Sequence, residues 1–163
     1  MTVVFVTPEL DPLVRRTQLA DFASALPRAL AESGHEVSLF LPRTRFVDLD
    51  ALDGVEAVAK VKVRDGIGPA AFDVLRLQLG GVTVFLLENR KLFGERNPYG
   101  SEEGPYPDNW RRYGLFSRAV LAGFEPLGLA PDVIHCLDWT TGLLPVLHEL
   151  EYVRKKPDHP AAQ

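Results

Sequence analysis

The sequence has little that would support a disulfide, a metal site or a membrane span. Cys136 is the only cysteine in 163 residues, so no disulfide can form within the chain. The four histidines show neither HxxxH nor HxH spacing, and we expect no structural metal. No stretch approaches the ~20 apolar residues that a membrane-spanning helix needs. The short apolar start, MTVVFVT, has neither the basic region nor the cleavage site of a secretory signal, so we expect a cytoplasmic protein.

The sequence also lacks an excess of positive charge. The formal net charge of −4 gives no basic footprint for nucleic acid and no attraction to an anionic membrane. No GxGxxG follows the first apolar segment, so we expect no dinucleotide cofactor, and no other cofactor is indicated. What is present is a hydrophobic fraction of 46%, which suffices for one domain with a filled core.

The first forty or so residues have the pattern of a strand, a helix and a second strand. Val3 to Val6 is a β-branched run typical of a strand buried in a parallel sheet. The next strand is predicted from Glu36 to Leu41, before Pro42. Between them a helix is predicted, closed by Ser33-Gly34 and kinked at Pro27. Its apolar positions at helical spacing are Leu19, Phe22, Ala23, Leu26 and Leu30.

The middle of the chain has a different pattern. Val55 to Val63 alternates loosely between apolar and polar residues, and two β-rich runs, Phe72 to Leu79 and Val82 to Leu87, are separated by Gly80-Gly81. A Gly-Gly pair between such runs predicts an antiparallel hairpin at one end of the sheet. Residues 89 to 107 predict a long exposed loop, and long ordered loops are often functional.

Three further elements are predicted in the last third. A helix begins at residues 107–109, and its buried face includes Trp110, Tyr113 and Phe116. A short buried strand covers Asp132 to His135. A last helix runs from Thr140 to about Glu151, with its apolar residues facing inward: Leu143, Leu144, Val146, Leu147 and Leu150. We therefore predict one α/β domain over residues 1–153, a Rossmann-like, mostly parallel sheet with helices on both faces and an added β-hairpin, followed by a tail over 154–163.

Three motifs, in order, resemble those of bacterial glycogen and starch synthases. The first joins residues 5–9 (FVTPE), 19–21 (LAD) and 25–30 (ALPRAL), where the family reads SExxP, KTGGLADV and ALPxAL. The second is YPDN at 106–109, with Arg112 and Phe116 on the helix that it starts. The third is PDVIHCLDWTTGL at 131–143, similar to the family's PDVVHxHDWxTGL. Together they cover nearly the whole chain.

This resemblance implies the first half of a two-domain GT-B glycosyltransferase. Such an enzyme transfers glucose from ADP-glucose to the non-reducing end of an α-1,4-glucan, with the acceptor mainly on the first domain and the sugar nucleotide mainly on the second. The 163 residues correspond to the first, acceptor-side domain. The resemblance names α-glucan and ADP-glucose as ligands, and we expect no synthase activity from this chain alone.

The loop after the first strand departs from the family. Where the family has KTGGL, this chain has Arg15-Arg16-Thr17-Gln18-Leu19. The family's lysine contacts the donor phosphate, and its glycines let backbone N–H groups approach that phosphate. Arg15 keeps the positive charge, but Thr17 and Gln18 add side chains. The stretch is therefore either an altered donor site formed by Arg15, Thr17 and Gln18, or an exposed basic turn.

The acceptor-side candidates from the first two motifs each have a structural alternative. Glu9 is expected to orient the loop, and Asp21 to pair with a neighbouring helix. Asp108 matches an acidic family position near the acceptor, but Asp108 and Asn109 could equally cap the helix that follows.

The third motif adds His135, Asp138 and Trp139. His135 lies within the strand and is favoured as a core histidine over a ligand. Asp138 could cap the next helix or touch a glucan. The family's second histidine is replaced by Leu137, which can form no side-chain hydrogen bond. We assign no catalytic residue, and Cys136 is expected to be a small buried hydrophobe.

Two functional hypotheses follow. The chain is a piece of a glucan synthase, or it is a non-catalytic pseudoenzyme that binds a glucan, a protein partner or a second copy of itself. The motif losses fall at sites of chemistry, which is compatible with the second hypothesis. A third hypothesis is an unrelated Rossmann-like enzyme using Asp108, His135 or Asp138.

Overall fold

The computed structural model describes residues 1–156, 158, 159 and 162. Helices and strands alternate through the first part and the last part of the chain, and consecutive strands fill the middle. In chain order they are β1 (Thr2–Val6), α1 (Leu19–Glu32), β2 (Glu36–Pro42), β3 (Glu56–Arg64), β4 (Pro69–Leu79), β5 (Val82–Glu88), β6 (Gly100–Ser101), β7 (Gly104–Pro105), α2 (Asn109–Leu127), β8 (Val133–Cys136) and α3 (Leu144–Leu147). Short 3-10 helices span Leu49–Ala51 and Trp139–Thr141, and π-helical turns span Arg90–Gly94 and His148–Val153.

Six strands form one sheet in the order β3-β4-β5-β2-β1-β8. Four adjacent strands, β5, β2, β1 and β8, are parallel. The other two, β3 and β4, are antiparallel and lie at one end of the sheet. The mostly parallel sheet with an added hairpin is therefore confirmed.

Helices cover both faces of this sheet because successive side chains of a buried strand point to opposite sides. Val4 and Val6 of β1 pack in one apolar cluster with Phe116 of α2. Val3 and Phe5 pack in a second cluster on the side of α1. Both faces of the central strands are thus apolar, which explains their continuous hydrophobic runs.

The predicted hairpin is confirmed at Gly80-Gly81. The two glycines have φ of 56° and 83°, and β4 and β5 pair directly across them, with Leu79 opposite Val82. Two consecutive positive φ values define the tight turn that glycine adopts most readily, so the Gly-Gly pair fixed this part of the fold.

Two aromatic side chains predicted to lie on apolar helix faces are exposed. Trp110 in the first turn of α2 is 65% exposed, and Phe22 of α1 is also exposed. The buried positions of that turn are Asn109, Arg112 and Tyr113. Trp110 lies about 200° around the helix from Arg112, so it points away from the buried side.

The final segment was predicted wrongly as one continuous helix. It consists of a 3-10 turn, a single α-turn and a π-helical turn, and it contains Pro145, which has no N–H to donate. Leu144 and Leu147 are buried as expected, but Leu143, Val146 and Leu150 are exposed. Within the described residues nothing covers their side.

The strand β8 is at the sheet edge and is not buried on both sides. In the described part of the chain it pairs with β1 alone, and Val133 is 39% exposed. The apolar composition of the strand indicated burial, but the sequence pattern does not report the position of a strand in the sheet.

The predicted tail begins after the last π-helical turn. His159 packs its ring on Tyr152, with centroids 4.7 Å apart, and its Nε2 lies 3.5 Å from Glu125. Residues 157, 160, 161 and 163 lie outside the described residues, and the domain boundary at 153 stays a prediction. No helix in the described part of the chain is both long enough and apolar enough to span a bilayer.

Candidate functional site

The loops that follow β1, β5 and β8 meet at one end of the sheet. Parallel strands bring their carboxyl ends to the same edge, which is where open α/β folds bind ligands. All three of the predicted motifs have residues here, because FVTPE follows β1, YPDN closes the loop after β5, and DWTTG follows β8.

Glu9 holds the loop after β1 in place. Its side chain is fully buried and accepts four hydrogen bonds. Oε2 accepts from the backbone N–H of Arg16 (2.6 Å) and of Thr17 (2.8 Å). Oε1 accepts from the Thr17 hydroxyl (3.0 Å) and from the phenol of Tyr99 (2.5 Å). The prediction that Glu9 orients the loop is confirmed, and the contact to Tyr99 joins this loop to the one after β5.

The Tyr99 phenol is held as a hydrogen-bond donor. Burial, followed by the hydrogen bond to the carboxylate of Glu9, raises the pKa of Tyr99 far above its ordinary value. The phenol therefore keeps its proton at physiological pH and remains the donor in the bond that links the two loops.

Backbone N–H groups of the loop after β1 donate hydrogen bonds within the protein. Glu9 takes the N–H groups of Arg16 and Thr17, the Thr17 hydroxyl accepts from Leu19 N (3.1 Å), and Ala20 N donates to the Thr17 carbonyl (3.3 Å). Thr17 thus performs a local structural role. Gln18 is exposed at the start of α1 and makes no capping bond.

Arg15 is paired on the protein surface. Its guanidinium contacts the carboxylate of Asp21 at 2.9 Å, and Asp11 lies at 4.0 Å. Asp21 was expected to pair with a neighbouring helix, and that prediction is wrong, since its partner is in the loop just before its own helix. This pair leaves Arg15 without a free charge.

Arg112 organises the long loop between β5 and α2. Its guanidinium is fully buried and has no carboxylate partner among the described residues. It donates to the carbonyls of Leu92 (2.8 Å), Pro98 (3.1 Å) and Asn97 (3.1 Å). It also donates to the side-chain oxygen of Asn109 at 2.7 Å. Burial lowers the pKa of Arg112 from its ordinary value, but an arginine remains charged.

Neither Asp108 nor Asn109 caps α2 with its side chain. Asp108 forms a two-bond pair with Arg96, with both distances 2.7 Å, and this hydrogen bonding lowers the pKa of Asp108. Asn109 donates to the backbone oxygen of Tyr99 at 2.7 Å and accepts from Arg112. The capping interpretation is wrong because these side chains brace the loop after β5.

A cleft of about 720 Å³ opens beside these loops. Trp139 on one side is 58% exposed, and its ring contacts Tyr113 and Tyr99 with centroids 5.7 Å and 6.3 Å apart. An exposed indole that packs on one buried and one half-buried tyrosine is a rigid apolar surface. The cleft is lined by Arg16, Trp139 and the loop from 97 to 105 that carries β6 and β7.

The residue before Trp139 has a strained backbone. Asp138 has φ 73° and ψ 163°, a combination that is almost confined to glycine and costs about 1–3 kcal/mol. Its carboxylate accepts only a long bond from the Thr140 hydroxyl (3.3 Å) and caps no backbone group. Strain of this kind is found at ligand-binding positions, and here it directs the chain into Trp139.

The neighbours of Asp138 in β8 are structural. The ring of His135 stacks on Phe5 at 4.9 Å and 20°, within the paired register of β8 and β1. Leu137 is buried in the apolar cluster on the side of α1. Cys136 is half-buried, packs against the other cluster, and burial raises its thiol pKa to about 11. None of these three presents a reactive group to the cleft.

Comparison with known proteins identifies the family. The profile of the starch synthase catalytic domain matches residues 2–161. The chain belongs to the starch synthase catalytic domain family. Glycogen synthase 2 of Geobacter sulfurreducens is 40% identical over 152 residues, and glycogen synthase of Geotalea uraniireducens is 37% identical over 153 residues. These alignments cover 93% and 90% of this chain.

The chain spans about 31% and 30% of the length of those two relatives. A solved structure agrees with this: the catalytic domain of starch synthase IV from Arabidopsis thaliana, bound to ADP and acarbose, superimposes with a TM-score of 0.82 at 27% identity. That match covers 94% of this chain and 31% of the Arabidopsis chain. The GT-B assignment of the fold is therefore confirmed.

Two residues that build the site of this family member are not indicated by any motif. Tyr99 and Arg96 lie in the long loop, and their partners are up to 90 residues away. The only sequence signal for these two is the length of that loop. Arg112 belongs to the second motif, but that motif does not indicate that its side chain binds the carbonyls of the long loop. Arg16 was passed over in favour of Arg15, because the resemblance aligned Arg15 with the lysine of the family.

Proposed function

We propose that this chain is the acceptor-side part of a glycogen or starch synthase and that it binds an α-glucan in the cleft beside Trp139. The observation that carries the proposal is the exposed indole of Trp139 at the mouth of that cleft. Its faces can stack on the apolar C–H faces of glucose rings. The adjacent Asp138 carboxylate, with one weak partner, is available to accept hydrogen bonds from sugar hydroxyls.

The other predicted acceptor-side residues support the cleft and do not line it. Glu9, Asp108 and Asn109 are fully or partly buried and bonded within the protein, and His135 is stacked in the sheet. Asp21 is tied to Arg15 on the surface. We therefore assign glucan contact to Asp138 and Trp139, and positioning roles to the rest. A cytoplasmic location stays a prediction.

The reaction of the whole family member would be transfer of glucose from ADP-glucose to the end of the glucan. The Arabidopsis complex contains ADP and acarbose, which supports a nucleotide and a carbohydrate as ligands. Transfer requires polar groups that stabilise charge on the donor, usually a large contribution. Leu137 supplies none, and the loop N–H groups of Arg16 and Thr17 are already bonded. We propose that these residues alone transfer no glucose.

The two tryptophans allow a matched test of glucan binding. Trp110→Phe leaves Trp139 as the only indole, and Trp139→Phe leaves Trp110, which is similarly exposed but does not line the cleft. Titration with maltoheptaose should change the fluorescence of the first variant and not of the second. Trp139→Ala should weaken binding by about two- to tenfold, from a stacking energy of ~0.5–1.5 kcal/mol. Equal responses from both variants would contradict the proposal.

A second candidate, a non-catalytic module that self-associates, is favoured by one observation. Val133, Leu143, Val146 and Leu150 are all exposed near the β8 edge. Exposed apolar groups of this size mark contact surfaces when they are contiguous. Sedimentation velocity should show a dimer that Val146→Glu converts to a monomer. A monomer at every concentration would reject this candidate.

A further inference from the structure

Two arginines converge on one exposed aromatic ring at the loop end of the sheet. The guanidinium carbon of Arg16 lies 5.1 Å from the ring centroid of Phe46, and that of Arg45 lies 5.7 Å from the same centroid. The two cations therefore cannot be more than about 10.8 Å apart. They come from different loops, since Arg16 follows β1 and Arg45 follows β2. The fold, and not sequence proximity, brings them together.

Both arginines are presented by backbone that is fixed from inside. The N–H of Arg16 donates to the buried carboxylate of Glu9 at 2.6 Å. Arg45 and Phe46 occupy the corner of a turn in which Val47 N donates to the carbonyl of Thr44 at 3.1 Å. Thr44 and Val47 are buried on either side of that corner. The two side chains can move, but the backbone that carries each of them is held in place. Both guanidinium groups therefore stay within reach of the same ring.

Neither of the two charges is neutralised within the described part of the chain. No carboxylate there lies within 4.0 Å of the guanidinium group of Arg16 or of Arg45, whereas the side chains of their neighbours Arg15 and Arg43 are paired. Arg15 contacts Asp21 at 2.9 Å, and Arg43 contacts Glu88 at 3.1 Å. Two like charges held on one ring repel each other, and an anion between them removes that repulsion.

We propose that Arg16 and Arg45 form a binding site for a phosphate-bearing ligand. The planar guanidinium fork matches phosphate oxygens with two parallel hydrogen bonds, and two forks serve a group with several charged oxygens. Arg16 also lines the cleft that contains Trp139, so the site continues into the region that fits a sugar. The ligand is therefore a phosphate attached to a carbohydrate or nucleoside, held at the phosphate by the arginines.

This site differs from the one that the family resemblance indicated. The residue aligned with the phosphate-contacting lysine is Arg15, which is tied to Asp21. The backbone donors of Arg16 and Thr17 are bonded to Glu9. A phosphate bound at this loop must therefore contact side chains. Arg16 and Arg45 are two arginines that contact the same ring and whose guanidinium groups have no carboxylate partner among the described residues. The proposal is independent of glucan binding, which involves a neutral ligand.

The test is calorimetric titration of the full chain with inorganic pyrophosphate, ADP, glucose 6-phosphate and maltoheptaose. Arg16→Gln and Arg45→Gln should each weaken pyrophosphate binding by about tenfold, as expected for loss of a charge-assisted pair of hydrogen bonds. Arg45→Gln should leave maltoheptaose binding unchanged, because Arg45 does not line the cleft that contains Trp139. The matched control is Arg15→Gln, which removes an arginine from the same loop. All three side chains are exposed, and unchanged unfolding midpoints will confirm that the variants fold.

The other ligands distinguish the sources of the phosphate. ADP binding more tightly than pyrophosphate identifies a nucleotide, and glucose 6-phosphate binding more tightly identifies a phosphorylated sugar. Either result supports the site if both arginine variants abolish the preference. Undetectable pyrophosphate binding, or equal losses in Arg15→Gln and Arg16→Gln, overturns the proposal. Because maltoheptaose is uncharged, its binding reports the proposed function separately.

Discussion

Replacing Glu9 should loosen the site far more than its single carboxylate suggests. Glu9→Ala removes the buried acceptor of four hydrogen bonds and leaves two backbone N–H groups, those of Arg16 and Thr17, without their partner within the protein. Net values of ~1 kcal/mol per hydrogen bond, and more for a charged acceptor, give a loss of about 3–5 kcal/mol in the free energy of unfolding. This is a large share of the stability of a domain of this size.

Glu9→Gln should lower the free energy of unfolding much less than Glu9→Ala, because the partners of Glu9 are of two kinds, backbone N–H groups and hydroxyls. The amide oxygen can accept from the two fixed N–H groups. The amide NH2 then faces the hydroxyls of Thr17 and Tyr99, and both hydroxyls can rotate to accept a hydrogen bond. We expect a loss of about 1–2 kcal/mol, chiefly from weaker, uncharged acceptors. The free energy of unfolding should increase in the order Glu9→Ala, Glu9→Gln, wild type. This order tests the hydrogen-bond geometry and not merely the charge.

Urea unfolding, followed by tryptophan fluorescence, gives both free energies. Hydrogen exchange at the amides of Arg16 and Thr17 reports the loop directly and should accelerate in Glu9→Ala before the sheet is affected. Glu32→Ala is the matched control, since Glu32 is exposed at the end of α1, and it should change stability by less than about 0.5 kcal/mol. A cost below 1 kcal/mol for Glu9→Ala with unchanged exchange would refute the reasoning.

Two further predictions concern the loops. Hydrogen bonds from Arg111 and from the backbone of Gly68 lower the pKa of Asp65 from 3.8 to about 2, so its stabilising contribution is full above about pH 4 and is lost as the pH falls through 2. Asp65→Asn should therefore flatten the acid limb of a stability–pH curve measured by urea unfolding, and an unchanged limb would count against this assignment. Asp138→Gly should raise the free energy of unfolding by about 1 kcal/mol by relieving strain, while weakening maltoheptaose binding; a loss of stability would show that the backbone is not strained.

Much of the fold was predictable because its signals are local. The Gly80-Gly81 turn, the apolar runs of β1 and β2, and the glycine after α1 each specify structure within a few residues. The predictions were wrong where the burial of a segment depends on its position in the whole molecule. The sequence pattern of β8 does not show that it lies at the sheet edge, and the apolar periodicity after Thr140 does not show which side is left uncovered.

The site was predictable in part for the same reason. Glu9, Trp139 and Arg112 were found through short motifs, and all three lie at the end of the sheet where the loops after β1, β5 and β8 meet. The roles of Arg112, Arg16 and Arg45 were not predictable, since they depend on carbonyls or a ring supplied by other loops. A buried arginine without a carboxylate partner also violates the usual expectation that a buried charge is paired by an opposite one.

The hydrogen bond from Tyr99 to Glu9 connects residues separated by 90 positions. Closing so long a segment costs conformational entropy, but the pairing of β1 and β5 with β2 already brings the two loops to the same end of the sheet. We therefore expect this bond to form after the sheet. Release of the 89–108 loop would remove the Tyr99 bond and leave the three bonds that Glu9 accepts inside the loop after β1. The loop after β5 can thus open as a separate unit while the sheet and the loop after β1 stay in place.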